Sequence, residues 1–141
     1  MPVRSANAEW KGDLTGGRGT VKTGSGALDG AYSFSSRFEE GTGTNPEELI
    51  AAAHAGCYSM ALSNGLAKAG FTPTSVRTRA DVHLEKVGEG MGITRIHLHC
   101  QAEVPGIDAS RFQEEANAAR EGCPISRVLA ATEIHLEATL L

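Results

Sequence analysis

The chain has 141 residues, a formal net charge of -4 and a sequence pI near 5.7. This length predicts a single domain over residues 1–141 with one modest core, and the acidic charge disfavours nucleic acids and anionic membranes as partners. No secretion signal and no apolar run long enough to span a bilayer is recognisable, so we expect a cytoplasmic protein.

The N-terminal part predicts short strands joined by turns. Residues 8–11 and 20–23 form a candidate hairpin, and seven glycines fall between residues 12 and 30. Among them, Gly16-Gly-Arg-Gly19 resembles a phosphate-binding loop only superficially, because no Gly-Lys-Ser/Thr ending follows and no helix is predicted after it. Nucleotide binding is therefore not expected.

Residues 31–38 predict a further strand, because aromatic side chains recur there at even positions. Tyr32, Phe34 and Phe38 would share one side of this strand. Arg37 would point to the other side, from a serine-rich segment that leaves its guanidinium available to other parts of the molecule.

Residues 44–70 predict one long helix around which the rest of the chain is organised. Asn45 is a candidate N-cap, Pro46 suits the first helical position, and Glu48 completes a capping-box pattern. At the other end, Gly70 supplies the stop.

This helix carries no charged side chain between Glu48 and Lys68, apart from a histidine that can titrate. A helix that is apolar on every side is expected to be buried on every side. The remainder of so short a chain cannot surround it, so we predict an obligate homodimer with this helix near its centre.

The second half predicts an antiparallel hairpin, a helix, a helical turn and a last strand. Residues 75–86 and 95–104 alternate apolar with polar side chains, which indicates two strands with one wet face. A helix follows over residues 108–122, then a turn over 123–129 and a strand over 134–140. The expected fold is α+β, with largely antiparallel sheets wrapped around long central helices.

Three cysteines at wide spacings do not resemble a secreted disulfide scaffold. Cys57 lies in the apolar helix, where burial would raise its pKa, so it is either a core residue or a nucleophile activated by a distant cation. Arg37 and Arg18 are the candidate cations. Cys123 begins the helical turn, where free N–H groups favour a thiolate, although a structural role fits as well. Cys100 alternates onto the apolar strand face and is expected in the core.

Two ionisable groups of the long helix accompany Cys57. His54 lies three residues before it on roughly the same face, and is either a hydrogen-bonded core group or part of a thiol pocket. Glu47 lies ten residues before it, about 15 Å along a straight helix, and cannot meet the Cys57 sulfur of its own helix. Glu47 therefore either favours the helix start or orients an arginine, including one that serves the partner subunit.

Two histidines raise the question of a metal site. His97 and His99 alternate onto the polar face of the second hairpin strand, opposite Cys100. A third ligand is lacking nearby in sequence, so a solvated surface is the favoured interpretation and no metal is expected.

Several separated motifs agree in order and spacing with one known family. The stretch 43–57, which runs from Gly-Thr-Asn-Pro-Glu-Glu to Cys57, is followed 66 positions later by Cys123-Pro124. This pattern resembles the osmotically inducible protein C (OsmC) and organic hydroperoxide resistance (Ohr) superfamily. The OsmC branch is favoured because His54 stands where the Ohr branch usually has Tyr. Further matching motifs are Arg37-Phe38-Glu39, Gly70-Phe-Thr-Pro-Thr74, Ala80-Asp-Val82 and Val104-Pro-Gly-Ile-Asp-Ala-Ser110.

The resemblance implies an intertwined homodimer that reduces organic hydroperoxides with thiols and needs no metal, flavin or haem. By position, Cys57 would be the peroxidatic cysteine, Cys123 the resolving cysteine, and Glu47 the carboxylate that positions an activating arginine. Arg37 is the first choice for that arginine. Arg18 is the second, because the Ohr branch draws it from a Gly-Gly-Arg segment. The resulting disulfide would be reopened by dihydrolipoamide or a similar small dithiol.

Two other functions stay open. A non-enzymatic stress dimer could bind an apolar ligand at its interface with the thiols incidental, and its function would survive Cys57→Ser. A thiol-disulfide oxidoreductase acting on proteins is disfavoured because the chain has no Cys-x-x-Cys motif. Turnover of disulfide substrates without peroxide would identify it.

Overall fold

The computed structural model describes all residues from Met1 to Leu141. They separate into an N-terminal unit, Met1–Leu49, and a C-terminal unit, Ile50–Leu141. None of the helices combines the length and the hydropathy needed to cross a membrane.

A three-stranded antiparallel sheet forms most of the N-terminal unit, and it confirms the predicted hairpin. Gly19 lies in the middle strand against the rings of Trp10 and Tyr32, whose centroids are 5.3 Å apart. A Cβ at this position would overlap both rings, so the approach of the two aromatic side chains requires glycine. The strands, in their order across the sheet, are β1 (Ala6–Lys11), β2 (Arg18–Thr23) and β3 (Asp29–Tyr32).

The strand predicted over residues 31–38 ends at Tyr32, and the prediction is wrong beyond it. A short helix, α1 (Phe34–Phe38), begins instead because Ser33 and Ser36 form a reciprocal cap. The Ser36 N–H donates to Ser33 Oγ at 3.1 Å, and the Ser33 N–H donates to Ser36 Oγ at 2.8 Å. The two phenylalanines at the ends of α1 are thus one helical turn apart, with ring centroids separated by 4.9 Å. Arg37 lies in the last turn of this helix rather than on a strand face.

The long helix α2 (Pro46–Lys68) begins and ends where the sequence predicted. Asn45 is its cap, since its Oδ1 accepts the Glu48 N–H at 2.8 Å. The Glu48 carboxylate accepts a hydrogen bond from the Thr44 hydroxyl at 2.7 Å, so Glu48 does not complete the predicted capping box with Asn45. After the helix, Gly70 has a φ of +94°, which favours glycine.

The C-terminal unit holds a second three-stranded sheet, confirming the predicted hairpin and the last strand. β4 and β5 are antiparallel, whereas β6 pairs parallel with β5 after a crossover through two helices. The predicted Asp108 cap is present, as its Oδ1 accepts the Arg111 N–H at 2.8 Å. The elements are β4 (Ser75–Val87), β5 (Gly90–Glu103), α3 (Ala109–Gly122), α4 (Pro124–Val128) and β6 (Glu133–Leu140).

Within the C-terminal unit, α2 is buried along one face only. The inaccessible side chains recur at every fourth position, namely His54, Tyr58, Leu62 and Leu66. They join a core completed by Ile96, Leu98, Cys100, Ala102, Phe112 and Ala116.

The opposite side of α2 is accessible in the single chain, and we call it the open face. Met60 at its centre is 76% exposed. In the single chain, the prediction that α2 is buried on every side therefore holds for one side only. The open face is the side that a second copy of the chain was predicted to cover. Its members are Ala53, Gly56, Met60, Asn64 and Ala67.

Candidate active site

Two of the three cysteines meet where α2 passes the start of α4. Cys57 projects from the middle of α2 and is half-buried, and Cys123 is the fully buried N-cap of α4. Both thiols are free. They lie close enough for the charge state of Cys123 to influence Cys57, so the fold brings together two sulfurs that are 66 residues apart in sequence.

The surroundings of Cys57 favour the neutral thiol. Burial raises the pKa of Cys57 most strongly, the Ile125 N–H lowers it, and the neighbouring Cys123 raises this pKa again. None of these groups is a cation. Because a thiolate is the nucleophilic form of cysteine, Cys57 needs a positive charge from outside this set to react rapidly at neutral pH.

A chain of buried polar contacts continues from Cys123 through Ser126 to His54. The Ser126 N–H donates to Cys123 Sγ at 3.3 Å, and Ser126 Oγ also lies 3.3 Å from that sulfur. On its other side, Ser126 Oγ is 2.7 Å from His54 Nε2. Burial lowers the pKa of His54, which keeps the imidazole neutral, and its Nδ1 has no hydrogen-bond partner.

Beside Cys57 runs a cavity of about 700 Å³, which we call the Cys57 groove. Its walls come from α2, including Met60 and Asn64 of the open face, and from α3 and the start of α4, and Lys68 and Glu115 are its only charged residues. Small side chains make room along α2, so an alkyl or aryl group could lie against the helix next to the sulfur. The other residues lining it are Cys57, Met60, Ala61, Asn64, Gly65, Ala118, Ala119, Gly122 and Pro124.

A partly buried ion pair lies in the N-terminal unit, in which Glu47 is buried and Arg37 is partly exposed. Arg37 Nη2 donates to Glu47 Oε1 at 2.7 Å, and Arg37 Nε lies 3.3 and 3.2 Å from the two carboxylate oxygens. The hydrogen bond that Arg37 donates to the Glu47 carboxylate raises the pKa of Arg37 most, so the guanidinium remains charged. Nη1 makes no hydrogen bond within the chain and is available to another group, while the guanidinium carbon lies 5.1 Å from the Phe38 ring centroid.

The Arg37 guanidinium borders a second apolar cavity, the aromatic hollow, of about 430 Å³. The hollow belongs wholly to the N-terminal unit and places a fixed cation at the edge of aromatic surface. Its lining residues are Trp10, Gly12, Leu14, Tyr32, Ser33, Phe34, Arg37 and Phe38.

A family model described as OsmC-like protein matches residues 39–139 of the chain. The chain belongs to this OsmC-like family. Peroxiredoxin OsmC from Escherichia coli (strain K12) is 55% identical to it over 135 residues, which cover 95% of this chain and 94% of that protein. The organic hydroperoxide resistance protein OhrB from Bacillus subtilis (strain 168) is 35% identical over 114 residues, 79% of this chain and 82% of OhrB.

The three-dimensional comparison agrees with the sequence-based family assignment. An OsmC-like protein of unknown function from Vibrio cholerae superposes with a TM-score of 0.75 at 20% identity, covering 98% of this chain and 99% of that one. The predicted resemblance and the predicted α+β fold of this OsmC-like protein are therefore both confirmed.

Of the two arginines proposed from the sequence, only Arg37 is paired with Glu47. Arg18 begins β2 on the exposed side of its sheet and makes no ion pair or side-chain hydrogen bond. The OsmC-like chain thus holds one guanidinium in a fixed orientation and leaves the other solvated.

The remaining sequence candidates lie elsewhere in the C-terminal unit. Cys100 is buried in the core, as predicted for it. A third imidazole does join the two on the hairpin, because β6 places His135 beside His97, with ring centroids 5.1 Å apart. His99 stacks on His97 and contacts Asp81 at 3.0 Å, and no group of three or more side chains is arranged to hold a metal ion.

Ser126 is the site residue that the sequence reasoning missed. The sequence did contain a signal for this residue, because the side chain of a polar residue three positions after an N-cap can hydrogen-bond back to the cap. His54, expected near Cys57, instead directs its Nε2 toward Ser126. That contact joins residues 72 apart in sequence, which no local pattern encodes.

Proposed function

We propose that this OsmC-like protein is a thiol-dependent peroxidase that reduces organic hydroperoxides, with Cys57 as the attacking cysteine and Cys123 as the resolving one. The observation that carries the proposal is the meeting of two free thiols beside an apolar groove. The names of its relatives, a peroxiredoxin and organic hydroperoxide resistance proteins, support the same chemistry.

The reaction balances with the groups present. The Cys57 thiolate attacks one peroxide oxygen, the O–O bond breaks, and the alkoxide leaves as the alcohol after taking a proton, which makes Cys57 a sulfenic acid. Cys123 then attacks the Cys57 sulfur, the S–O bond breaks, and hydroxide departs with the proton of Cys123 as water. One hydroperoxide and two thiols give one alcohol, one water and one disulfide.

Arg37 is the cation that we assign to the Cys57 thiolate. An opposite charge at close range lowers a thiol pKa by roughly 1 to 3 units, enough to offset the effect of burial. Glu47 would hold the guanidinium in one orientation by its two-pronged contact and leave Nη1 free for the sulfur or the peroxide.

We further propose that the active form is a homodimer that completes this site. Two features support it: the open face of α2 is apolar and uncovered in the single chain, and Cys57 has no cation among the groups acting on it. A second copy would cover the open face of α2. Its own Arg37–Glu47 pair could supply the cation that Cys57 lacks.

The groove favours organic hydroperoxides over hydrogen peroxide. An alkyl or aryl group that leaves water for the Cys57 groove gains about 25 cal/mol per Å² of buried apolar surface. Hydrogen peroxide has no apolar group and gains nothing from this surface, so selectivity should increase with the size of the organic group until the groove is filled.

The regenerating dithiol is expected to attack Cys57 rather than Cys123. Cys57 is only half-buried, whereas Cys123 is fully buried, and exchange requires access to the attacked sulfur. Cys123 would then leave as a thiolate that accepts the Ser126 N–H. A small dithiol such as dihydrolipoamide fits a site of this size better than a protein reductant.

The proposal is tested by counting thiols in the reduced protein after one equivalent of cumene hydroperoxide, and separately after hydrogen peroxide. We expect two thiols to be lost, a Cys57–Cys123 bridge in the peptide map, Cys100 still free, and a faster reaction with the organic peroxide. If all three thiols stay free, the peroxidase assignment fails and an apolar-ligand-binding dimer becomes the function to test.

A further inference from the structure

We propose that Ser126 and His54 form a proton relay for Cys123, taking up its proton when it attacks the Cys57 sulfenic acid and returning it when Cys123 leaves during reduction. The inference rests on the proposed function and extends it. It assigns proton transfer in the resolving step to two residues that belong neither to the Cys57–Cys123 pair nor to the Arg37–Glu47 pair.

The contacts form one unbranched path. Cys123 Sγ lies 3.3 Å from Ser126 Oγ, which lies 2.7 Å from His54 Nε2. All three side chains are buried, so bulk water does not compete with the path. Ser126 is fixed at both ends, since its own N–H donates to the same sulfur at 3.3 Å.

The path can carry a proton in either direction. With Cys123 as a thiol, S–H donates to Ser126 Oγ, whose O–H donates to the unprotonated Nε2 of His54. When Cys123 attacks, its proton passes to Ser126 as the Ser126 proton passes to His54, leaving an imidazolium and a thiolate that accepts from the Ser126 O–H and N–H.

The protons of the step still have to balance. The hydroxide leaving Cys57 takes a proton from solvent in the Cys57 groove and becomes water, and the imidazolium of His54 releases its proton to solvent, so the net products are the disulfide, water and neutral His54. During reduction the path runs backwards: His54 takes up one of the protons that the external dithiol releases, and the departing Cys123 thiolate is protonated from it through Ser126.

A purely structural role leaves one feature of His54 unexplained. Its Nδ1 is buried without a partner, which is unfavourable and which an apolar side chain of similar size would avoid. The arrangement is useful if the ring must accept a proton at Nε2 while Nδ1–H remains in place. Burial lowers the pKa of His54, so the ring starts neutral.

The charged neighbours of the path are few. Ser126 lines a cleft of about 520 Å³ between α3, α4 and β6, and this cleft offers a route by which protons can exchange with solvent. Titratable or charged side chains facing the path are Cys57 and Tyr58 of α2, Arg120 and Glu121 of α3, and Arg127 of α4, whereas Thr132 and Ile134 on the β6 side are uncharged.

The test separates two steps of a single turnover across a pH series. Reduced protein is mixed rapidly with cumene hydroperoxide, and sulfenic acid formation and disulfide closure are followed by quenching and mass analysis. The variants are Ser126→Ala, Ser126→Thr, which keeps the hydroxyl, and His54→Gln, which keeps a hydrogen-bonding group but cannot carry the proton. Ser59→Ala is the matched control, because Ser59 lies on the same helix as His54 and its hydroxyl donates to Thr78 of β4 at 2.7 Å, away from the path.

In Ser126→Ala and His54→Gln, we expect closure to slow by about a hundredfold, the lower end for general acid–base catalysis, with sulfenic acid formation within about twofold of the unmodified protein. Closure in these variants should depend more steeply on pH, because hydroxide must then remove the Cys123 proton. Ser126→Thr should recover most of the closure rate, and Ser59→Ala should match the unmodified protein.

Closure at the unmodified rate in both Ser126→Ala and His54→Gln would overturn the relay, as would an equal slowing of both steps with an unchanged pH profile. If Ser126→Ala is too unstable to measure, His54→Gln decides alone. Failure of the proposed function looks different, because the unmodified protein itself would then form no Cys57–Cys123 disulfide.

Discussion

Arg37, which is paired with Glu47 in the N-terminal unit, and Cys57, which lies beside Cys123 in the C-terminal unit, both have raised pKa values, with opposite results for their charge. The pKa of Arg37 is raised by its carboxylate, which keeps the guanidinium charged. The pKa of Cys57 is raised by burial, which keeps the thiol neutral. One region therefore holds a fixed cation without a thiol, and the other holds the proposed nucleophile without a cation. The proposed chemistry requires both.

The largest expected effect comes from removing the nucleophile. Cys57→Ser should abolish hydroperoxide reduction, because a serine hydroxyl in this apolar environment is not ionised near neutral pH. The measurement is alcohol formation from cumene hydroperoxide with excess dithiol. Cys100→Ala is the matched control: it should lose about 1 kcal/mol of stability through a small core cavity and keep its activity. Equal losses in both variants would break the distinction between reactive and structural thiols.

Removing the cation should produce the next largest effect. Arg37→Ala should slow oxidation of Cys57 by about 10- to 1,000-fold, in line with the 1 to 3 pKa units that a nearby opposite charge supplies. The thiolate fraction increases with pH below the thiol pKa, so the rate of this variant should keep increasing into alkaline solution, whereas the unmodified protein should level off earlier. The measurement is the rate of sulfenic acid formation against pH.

Arg18→Ala is the control for that prediction, since Arg18 is exposed and unpaired. It should change the rate by less than about twofold, in keeping with the small effects of solvated charges. If Arg18→Ala slows oxidation and Arg37→Ala does not, the activating role passes to Arg18, and the comparison between the two regions must be rebuilt around a different cation.

The ends of the two long helices and the order of the last five elements followed from local chemistry, whereas the segment before the long helix and the site followed only in part. The caps at Asn45 and Asp108 could be predicted because a helix cap depends on only a few neighbouring residues. The segment from Ser33 to Arg37 was wrongly predicted as a strand, because aromatic side chains at even spacing fit both a strand and successive turns of a short helix. The serine cap favours the helix. The path from Cys123 to His54 was beyond sequence reasoning, because it depends on how α4 packs against α2.

A third prediction concerns the open face of α2. Met60→Glu should weaken self-association by more than tenfold, because a carboxylate placed in an apolar interface must be desolvated. Met91→Glu is the control: Met91 is another exposed methionine, at 53% exposure, near the start of β5. Sedimentation velocity over a concentration series measures both variants. A monomer in the unmodified protein, or equal association in both variants, would remove the dimer from the proposal.

The smallest expected effect concerns the cap of α1, the helix that carries Arg37. Ser33→Ala removes the side-chain acceptor for the Ser36 N–H and should lower the free energy of unfolding by about 1 kcal/mol, as for other lost N-caps. Activity should fall only about two- to threefold, because Glu47 still holds the guanidinium at three contacts of 2.7 to 3.3 Å. Chemical denaturation and the oxidation rate measure the two quantities. A loss of activity as large as that of Arg37→Ala would show that the helix, rather than the carboxylate, orients the arginine.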